Sequence, residues 1–364
     1  MKTGKRSINM DIIRCIALFF VVSIHFYLNS GYYNLRVTGS GMYVMTLFRG
    51  VFMTCVPLFL LLTGYLMRQK TLSVSYYKKS IKTLAIYVIV SLICAVYKAC
   101  YVKQPMSVLY AIKGILDFTN APYSWYIEMY IGLFLLIPFL NILWNNIPSK
   151  SWKCVLVGTM LILSSAGSVV NVYDFTSIAW WGNPAMIDGA FMHLIPDWWK
   201  GIYPLTYYFI GCYLNEYGIP IKRKMNVVLL VLSVLLSGGY NLWRSRGICF
   251  VNGAWQDYDS LFTVVLAVLI FNLFANMNCE KLPMWTKNLF MIMSNLSLGA
   301  YLISWIFDDF IYRGLNIAGI IMESGFGYYF VIVPVVYVCS LCASWCVNVI
   351  YTGLGKCVAK VVLR

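Results

Sequence analysis

The sequence predicts an all-α polytopic membrane protein with about ten transmembrane helices and both termini in the cytoplasm. Its 364 residues are 61% hydrophobic and 11% charged, with a mean hydropathy of +0.74. Soluble domains carry about 25% charged residues, so this composition indicates a bilayer environment. Apolar runs of about twenty residues recur along the chain, which is the length that an α-helix needs to cross the hydrocarbon core. Lys and Arg gather between alternate runs, as the positive-inside rule expects.

The apolar runs predict where the helices lie. We expect them at 8–28, 49–67, 83–102, 125–144, 153–170, 202–217, 225–243, 260–277, 289–311 and 327–351. No small-residue cleavage site follows the first run, so it is interpreted as a retained anchor. We expect one transmembrane domain over residues 1–364, without an appended soluble domain.

The net charge of +15 and the twelve cysteines narrow the function classes. Most basic residues fall in the predicted cytoplasmic loops, which explains the charge without a nucleic-acid partner. The cysteines lie mostly inside apolar runs and form no CxxC pairs near histidines, so neither a zinc site nor a disulfide framework is predicted. No internal repeat is visible, which disfavours transporter folds built from duplicated halves.

The first predicted helix carries three ionisable residues, Asp11, Arg14 and His25, where a membrane helix usually carries none. Such groups are costly at membrane depth and are functional candidates by default. The eleven residues from Arg14 to His25 make just over three helical turns. Both side chains therefore emerge from nearly the same face, roughly 17 Å apart along the axis. The helix presents a cation near one membrane surface and an imidazole toward the other.

These three residues, after a short basic tail, resemble the signature of the acyltransferase-3 family of bacterial integral-membrane acyltransferases. Shorter pieces that resemble the family follow in the expected order: Val56-Pro57-Leu58-Phe59, Thr63-Gly64-Tyr65, Trp125-Tyr126, Ser297 and Tyr301-Leu302-Ile303. The resemblance implies an O-acyltransferase of the bacterial cytoplasmic membrane. It would move an acyl group, most often acetyl, from cytoplasmic acyl-CoA to a hydroxyl of a cell-surface or lipid-linked carbohydrate. Its partners would be acyl-CoA as donor substrate, the glycan acceptor and membrane lipid, with no bound cofactor and no metal.

Acyl transfer to a hydroxyl needs a base, and the chain has only two histidines. His25 lies within a helix and His193 in an outer loop, so His25 is the predicted general base. The other interpretation is a histidine that packs against a neighbouring helix. A base must be neutral, which burial favours, and it needs an orienting partner. Glu128 is expected at the depth of His25 and is predicted to orient it. The alternative for Glu128 is a carboxylate favoured by the dipole at a helix N-terminus.

The predicted donor contacts lie toward the cytoplasmic end of the helices. Arg14 either pairs with Asp11, one turn earlier, or faces a cavity and holds an anionic part of the donor. Arg68 heads a basic loop suited to CoA phosphates, although such loops also attract anionic lipid. The predicted substrate-binding residues are Asp11, Arg14, Arg68, Trp125, Tyr301 and Ser304.

The ninth predicted helix departs from the family pattern at Ser304, where the family often has a histidine. A mechanism with two intramembrane histidines is therefore not expected. Asp308 and Asp309 are expected to be solvated charges at the outer end of this helix and, failing that, contacts for the acceptor.

The sequence leaves open the role of two outer segments, and it is compatible with two other classes of function. Residues 171–200 suit either sugar stacking or an aromatic belt at the membrane interface. The residues concerned are Trp180, Trp181, Trp198, Trp199, Asp174, Asp188, Asp197 and His193. Residues 244–259 are expected to form a solvated loop. The other functions are a transporter or flippase that uses the same polar residues, and a scaffold for surface-polymer assembly. A homodimer is compatible with the sequence.

Overall fold

The computed structural model describes residues 6–184, 192–317 and 326–362, which form an all-helical protein. Nine segments of this part are long and apolar enough to cross a membrane. They are Ile8–Asn29, Gly39–Met67, Val74–Cys100, Trp125–Asn146, Lys150–Val170, Arg223–Ser245, Ala254–Ala275, Met284–Leu315 and Phe326–Leu354. The predicted fold class, an all-α polytopic membrane protein, is confirmed.

The α-helices are numbered α1 to α15 in chain order. They are α1 (Ile8–Asn29), α2 (Gly39–Phe52), α3 (Cys55–Met67), α4 (Val74–Tyr77), α5 (Ser80–Cys100), α6 (Val108–Leu116), α7 (Trp125–Asn146), α8 (Lys150–Leu161), α9 (Gly167–Val170), α10 (Ile178–Gly182), α11 (Tyr203–Glu216), α12 (Arg223–Ser245), α13 (Leu261–Ala275), α14 (Met284–Ile317) and α15 (Phe326–Val362). A π-helical turn over Ile162–Ala166 joins α8 to α9.

Helix α1 lies at the centre of the bundle. It packs against α2, α3, α13, α14 and α15. Within its most apolar window 72% of the residues are buried, although the helix lies near the N-terminus. Its polar side chains therefore face other helices and not lipid, as expected for ionisable groups at membrane depth.

The predicted sixth span, 202–217, corresponds to α11, which has only 14 residues. At 1.5 Å per residue it is about 21 Å long, shorter than the hydrocarbon core. Helix α11 is almost entirely buried. It runs parallel to α3, as shown by two contacts that follow in the same order along both helices: Gly211 packs on Gly64, and Glu216 pairs with Arg68. A helix enclosed by protein does not need the length of one exposed to lipid.

The predicted second span, 49–67, consists of two helices, α2 and α3, with a bend between them. It starts ten residues earlier than predicted, at Gly39. The bend falls at Met53 and Thr54. Pro57 has no N–H to donate to the Met53 carbonyl, so the ladder of helical hydrogen bonds is interrupted there. The Thr54 hydroxyl donates to the Val51 carbonyl instead (2.6 Å).

The prediction of a solvated loop over 244–259 agrees with the exposure of Arg246 and Asp257 and is wrong for Arg244 and Trp255. Arg244 is 2% exposed and Trp255 is 2% exposed. The Arg244 guanidinium lies 4.1 Å from the centre of the Trp255 ring and 4.9 Å from that of Trp180. Cation–π contacts of this kind let an arginine be buried among aromatic rings, a pattern that charge counting along the sequence does not reveal.

The outer segment 171–200 divides into buried and exposed aromatic residues. Trp180 is fully buried, whereas Trp198 is 89% exposed and Trp199 is 54% exposed. Asp188 lies outside the described residues. Sugar stacking and an aromatic belt therefore both stay predictions for the exposed part.

Helix α6 lies in the connection between α5 and α7. It was not predicted, because its nine residues are too few to form an apolar run that crosses a membrane. The Tyr87 hydroxyl of α5 donates to the Ile115 carbonyl (2.6 Å), and the Asn120 amide donates to the Ala111 carbonyl (2.8 Å). These bonds fix the turn that follows α6. Tyr123, which matters for the site below, belongs to this turn.

The contact between α3 and α11 gives a test of the fold. A Cβ atom added at Gly211 would collide with the Leu61 carbonyl oxygen and the Tyr65 backbone nitrogen. We expect Gly211→Ala to lower the free energy of unfolding by about 1–3 kcal/mol, the usual cost of overpacking. The thermal unfolding midpoint of the detergent-solubilised protein should fall by several degrees.

Gly132→Ala is the matched control, because this helical glycine of α7 is exposed and has open space around its Cβ position. Its midpoint should stay unchanged or rise slightly. Equal midpoints for Gly211→Ala and the unmodified protein would contradict the close packing of α3 on α11.

Candidate active site

A cavity of about 370 Å³ lies between α1, α3, α5, α7 and α14. Arg14 and Val21 line it from α1, so the cavity follows the predicted polar face of this helix and stops one turn short of His25. Lys82 adds a second cation at its edge, next to the ends of α3 and α5. The cavity thus combines positive charge with apolar and aromatic walls.

The segments that carry the family resemblance converge on this cavity, although they are far apart in the sequence. The side chains that they contribute to its wall are Val56, Phe59, Thr63, Tyr126, Ser297 and Tyr301. Spacing along the chain could not show this convergence, because it depends on how five helices pack.

Arg14 lines the cavity and also forms the longer of the two ion pairs of Asp11. Its Nη1 donates to the Ser294 hydroxyl (2.9 Å) and lies 3.9 Å from the Asp11 carboxylate. Asp11 is held by Arg6, whose Nε and Nη2 lie 2.7 and 2.6 Å from its two oxygens. Asp11 is thus the centre of a small ion-pair cluster beneath the cavity, and it is 3% exposed.

His25 lies on the same face of α1, beyond the cavity, and is only 6% exposed. Its Nδ1 is 3.7 Å from Oδ2 of Asp308 on α14. Within the part of the chain that the structure describes, Nδ1 has no hydrogen-bond partner. An imidazole with one nitrogen pointed at a carboxylate is the arrangement that a general base requires.

Asp308 is 2% exposed, so the prediction that it is a solvated charge is wrong. Helix α14 continues to Ile317 instead of ending near residue 311, so Asp308 lies well before the last turn of the helix, at a buried position. Asp309 points elsewhere: it accepts a hydrogen bond from Tyr97 (2.9 Å) and pairs with Arg313 (2.8 Å).

Glu128, the predicted orienting carboxylate, is exposed on the first turn of α7. The structure places Asp308, not Glu128, beside His25. The reasoning from depth alone could not tell which face of α7 is turned toward α1. A sequence signal for Asp308 did exist, since Tyr301, Ser304 and Asp308 recur at helical spacing on one face of α14.

Tyr123 completes the surroundings of His25 and was missed from the sequence. Its ring lies on the imidazole, with the two ring centres 3.6 Å apart. Its hydroxyl donates to Oδ2 of Asp308 (2.9 Å) and accepts from the Asn29 amide (3.1 Å). Burial raises the pKa of the Tyr123 phenol well above its usual value, so the hydroxyl stays protonated and acts as a donor.

Tyr301 connects the cavity with the His25 region. Its ring lines the cavity, and its hydroxyl donates to the backbone carbonyl of Tyr123. Ser304 is fully buried, and its hydroxyl donates to the Tyr301 carbonyl (2.8 Å) within α14.

Arg68 and Trp125 lie outside the cavity wall. Arg68 donates to Glu216 (2.9 Å) and to Asn215 (3.0 Å) on α11, so its guanidinium already has an ionic partner. Trp125 is 38% exposed and stacks on Tyr258. Its neighbour Tyr126 is the residue of this pair that reaches the cavity. No group of His, Cys, Asp and Glu suited to a metal ion occurs among the described residues.

A helical membrane protein with a basic cavity and a histidine–carboxylate pair buried at its end has the parts of an enzyme that transfers a group within the bilayer. A family model described as an acyltransferase domain matches residues 7–347, nearly the whole chain. The chain belongs to this family, the acyltransferase-3 family, and is a membrane acyltransferase. Comparisons with curated proteins and with solved structures give no match.

The ion-pair cluster under the cavity gives a test of the role of Asp11. We expect Asp11→Asn to lower the free energy of unfolding by about 1–3 kcal/mol, because the buried side chain loses its charge-assisted bonds to Arg6. Thermal unfolding in detergent measures this loss. Asp174→Asn is the control, because the amide oxygen can still accept the two hydrogen bonds from Thr176, and it should leave the midpoint unchanged. A stable Asp11→Asn protein would instead point to a role for Asp11 in binding substrate.

Proposed function

We propose that this acyltransferase moves an acetyl group from cytoplasmic acetyl-CoA to a hydroxyl of a cell-surface or lipid-linked carbohydrate on the outer side of the bacterial cytoplasmic membrane. The observation that carries the proposal is the single cavity that begins at Arg14, is lined by each family-like segment, and ends one turn below His25. Family membership supports acyl transfer in general.

The donor end of the cavity has the charge that a CoA group needs. Arg14 and Lys82 offer cations to phosphate oxygens, and the apolar walls suit an extended arm. Arg14 and His25 are roughly 17 Å apart along α1, which is about the length of a pantetheine arm. Phosphates near the cytoplasmic surface would therefore bring the thioester close to His25. The cavity volume suits this arm with a small acyl group better than one with a long chain.

The chemical step uses His25 as a base. Its Nε2 takes the proton of the acceptor hydroxyl as that oxygen attacks the thioester carbonyl. The tetrahedral intermediate then expels CoA thiolate: the C–S bond breaks, the C–O ester bond remains, and the proton passes from the imidazolium to the sulfur. Asp308 would hold Nδ1–H and stabilise the transient imidazolium, the role assigned to Glu128 from the sequence.

The acceptor would approach from the side of Asn29 and Tyr123. Asn29 is exposed and Tyr123 is partly exposed, whereas His25 beneath them is buried. Ser304 has its hydroxyl turned to a carbonyl of its own helix and takes no part in this scheme. A carrier that moves substrate without chemistry would not consume acyl-CoA, so release of free CoA distinguishes it from an enzyme.

The proposal is tested in native host cells that lack this chain, complemented with variants at matched membrane abundance. The measurement is the ester-bound acetyl content of the surface glycans. We expect the unmodified chain to restore it and His25→Ala to fail, because loss of a general base costs about 10²–10⁴-fold in rate. Asp308→Asn should lower the rate of acetylation at least about tenfold, since the imidazole loses its orienting carboxylate.

His193→Ala is the matched control, because this second histidine is exposed on the outer segment, where its side chain is 71% accessible. It keeps the proposed base, so acetylation should be restored, with at most a partial loss where the outer segment 171–200 contacts the acceptor. Restoration by His25→Ala would show that His25 is structural. Failure of the unmodified chain to restore acetyl esters would overturn the assigned acyl group and acceptor.

A further inference from the structure

We propose that the Tyr123 side chain is a lid on His25: it covers the imidazole in the resting enzyme, bonds to the oxygen of Asp308 that faces His25, and swings away to start a catalytic cycle. The inference rests on the proposed function for its role in catalysis. Its structural content, a removable cover over a buried imidazole, does not depend on the acyl group or the acceptor.

The pair of His25 and Asp308 lacks a hydrogen bond between its two members. Nδ1 of His25 and Oδ2 of Asp308 are 3.7 Å apart, beyond hydrogen-bond distance, and Oδ2 instead accepts from the Tyr123 hydroxyl at 2.9 Å. A histidine–carboxylate pair that is ready for proton transfer has a bond between these two atoms. A carboxylate oxygen can accept more than one hydrogen bond, so the phenol acts by holding the carboxylate in its present orientation. Its departure leaves the carboxylate free to turn toward the imidazole.

The position of the Tyr123 ring also supports the proposal. Tyr123 lies between the buried imidazole and the surface, since it is itself partly exposed while its ring covers the His25 ring. An imidazole takes up a proton in the plane of its ring, so an acceptor hydroxyl must reach the edge of the His25 ring. Tyr123 lies between that ring and the outer surface, so the proposed path from this side opens when Tyr123 moves.

The backbone and the side chain of Tyr123 are held by different contacts. The backbone around Tyr123 is fixed, because its carbonyl accepts from Tyr301 and the next residue, Ser124, bonds to the carbonyls of Phe118 and Ala121. The side chain is held at its tip by Asn29 and Asp308. Opening is thus a rotation of one side chain about its own bonds, with no loop movement required.

The test measures access to His25 directly and needs no acyltransferase activity. The full-length protein in lipid nanodiscs is treated briefly with diethyl pyrocarbonate, which modifies neutral imidazole, and the two histidines are quantified by mass spectrometry. Exposed His193 serves as the internal reference in each sample. In the unmodified protein we expect His25 to be strongly protected relative to His193.

Tyr123→Phe keeps the ring but removes both bonds at the tip. We expect the modification of His25, relative to His193, to rise at least about fivefold, because loss of two hydrogen bonds shifts a closed-to-open equilibrium by that order. Asn29→Ala removes one of the two bonds to the phenol and should give a smaller rise. Tyr32→Phe is the control, a buried tyrosine whose hydroxyl bonds to Thr46, and it should give no rise.

Each result bears on the lid alone. Protection of His25 that is equal in Tyr123→Phe and in the unmodified protein overturns the lid, and so does a rise that Tyr32→Phe reproduces. A graded rise from Asn29→Ala to Tyr123→Phe supports it even if no acetyl ester is ever found on the host glycans. Thermal unfolding of each variant in nanodiscs shows that the folded protein is being compared.

Discussion

A histidine and a carboxylate buried side by side within a helix bundle are the constraint on which the site depends. An ionisable side chain in an apolar interior is tolerated only when other polar groups surround it. His25 and Asp308 supply this environment for each other, with Tyr123 and Asn29 as the further polar partners. These contacts fix how the C-terminal end of α1 lies against α14.

The same seam between α1 and α14 provides the partners for the polar residues nearer the N-terminal end of α1. Ser294 of α14 holds Arg14, and the cavity opens between this pair and the aromatic residues of α3 and α7. Asp11 is held by Arg6 and leaves the cavity-facing cation available. One interhelical seam thus carries a cation at one depth and a histidine at another, which suits the proposed reaction, whose substrates would come from opposite sides of the membrane.

The sequence predicted the parts of this arrangement that depend on a single helix. The shared face of Arg14 and His25 follows from helical spacing, and the structure places the cavity and the histidine along that face. Partners from other helices could not be predicted in this way. Depth suggested Glu128, but depth does not fix the rotation of a helix, and α7 turns Glu128 outward. Asp308 was predicted to be a charge at the helix end, because the polar residues after it gave no sign that α14 continues to Ile317.

We propose that acyl groups pass from a donor on one side of the membrane to an acceptor on the other, with Arg14 receiving the donor. Proteoliposomes of known orientation test this transfer, with radiolabelled acetyl-CoA on the cytoplasmic side and a soluble oligosaccharide acceptor on the other. We expect free CoA to appear on the donor side and labelled ester in the acceptor compartment, and Arg14→Ala to raise the acetyl-CoA concentration needed for half-maximal rate. Ester formed only on the donor side, or movement of solute without release of CoA, would contradict the account.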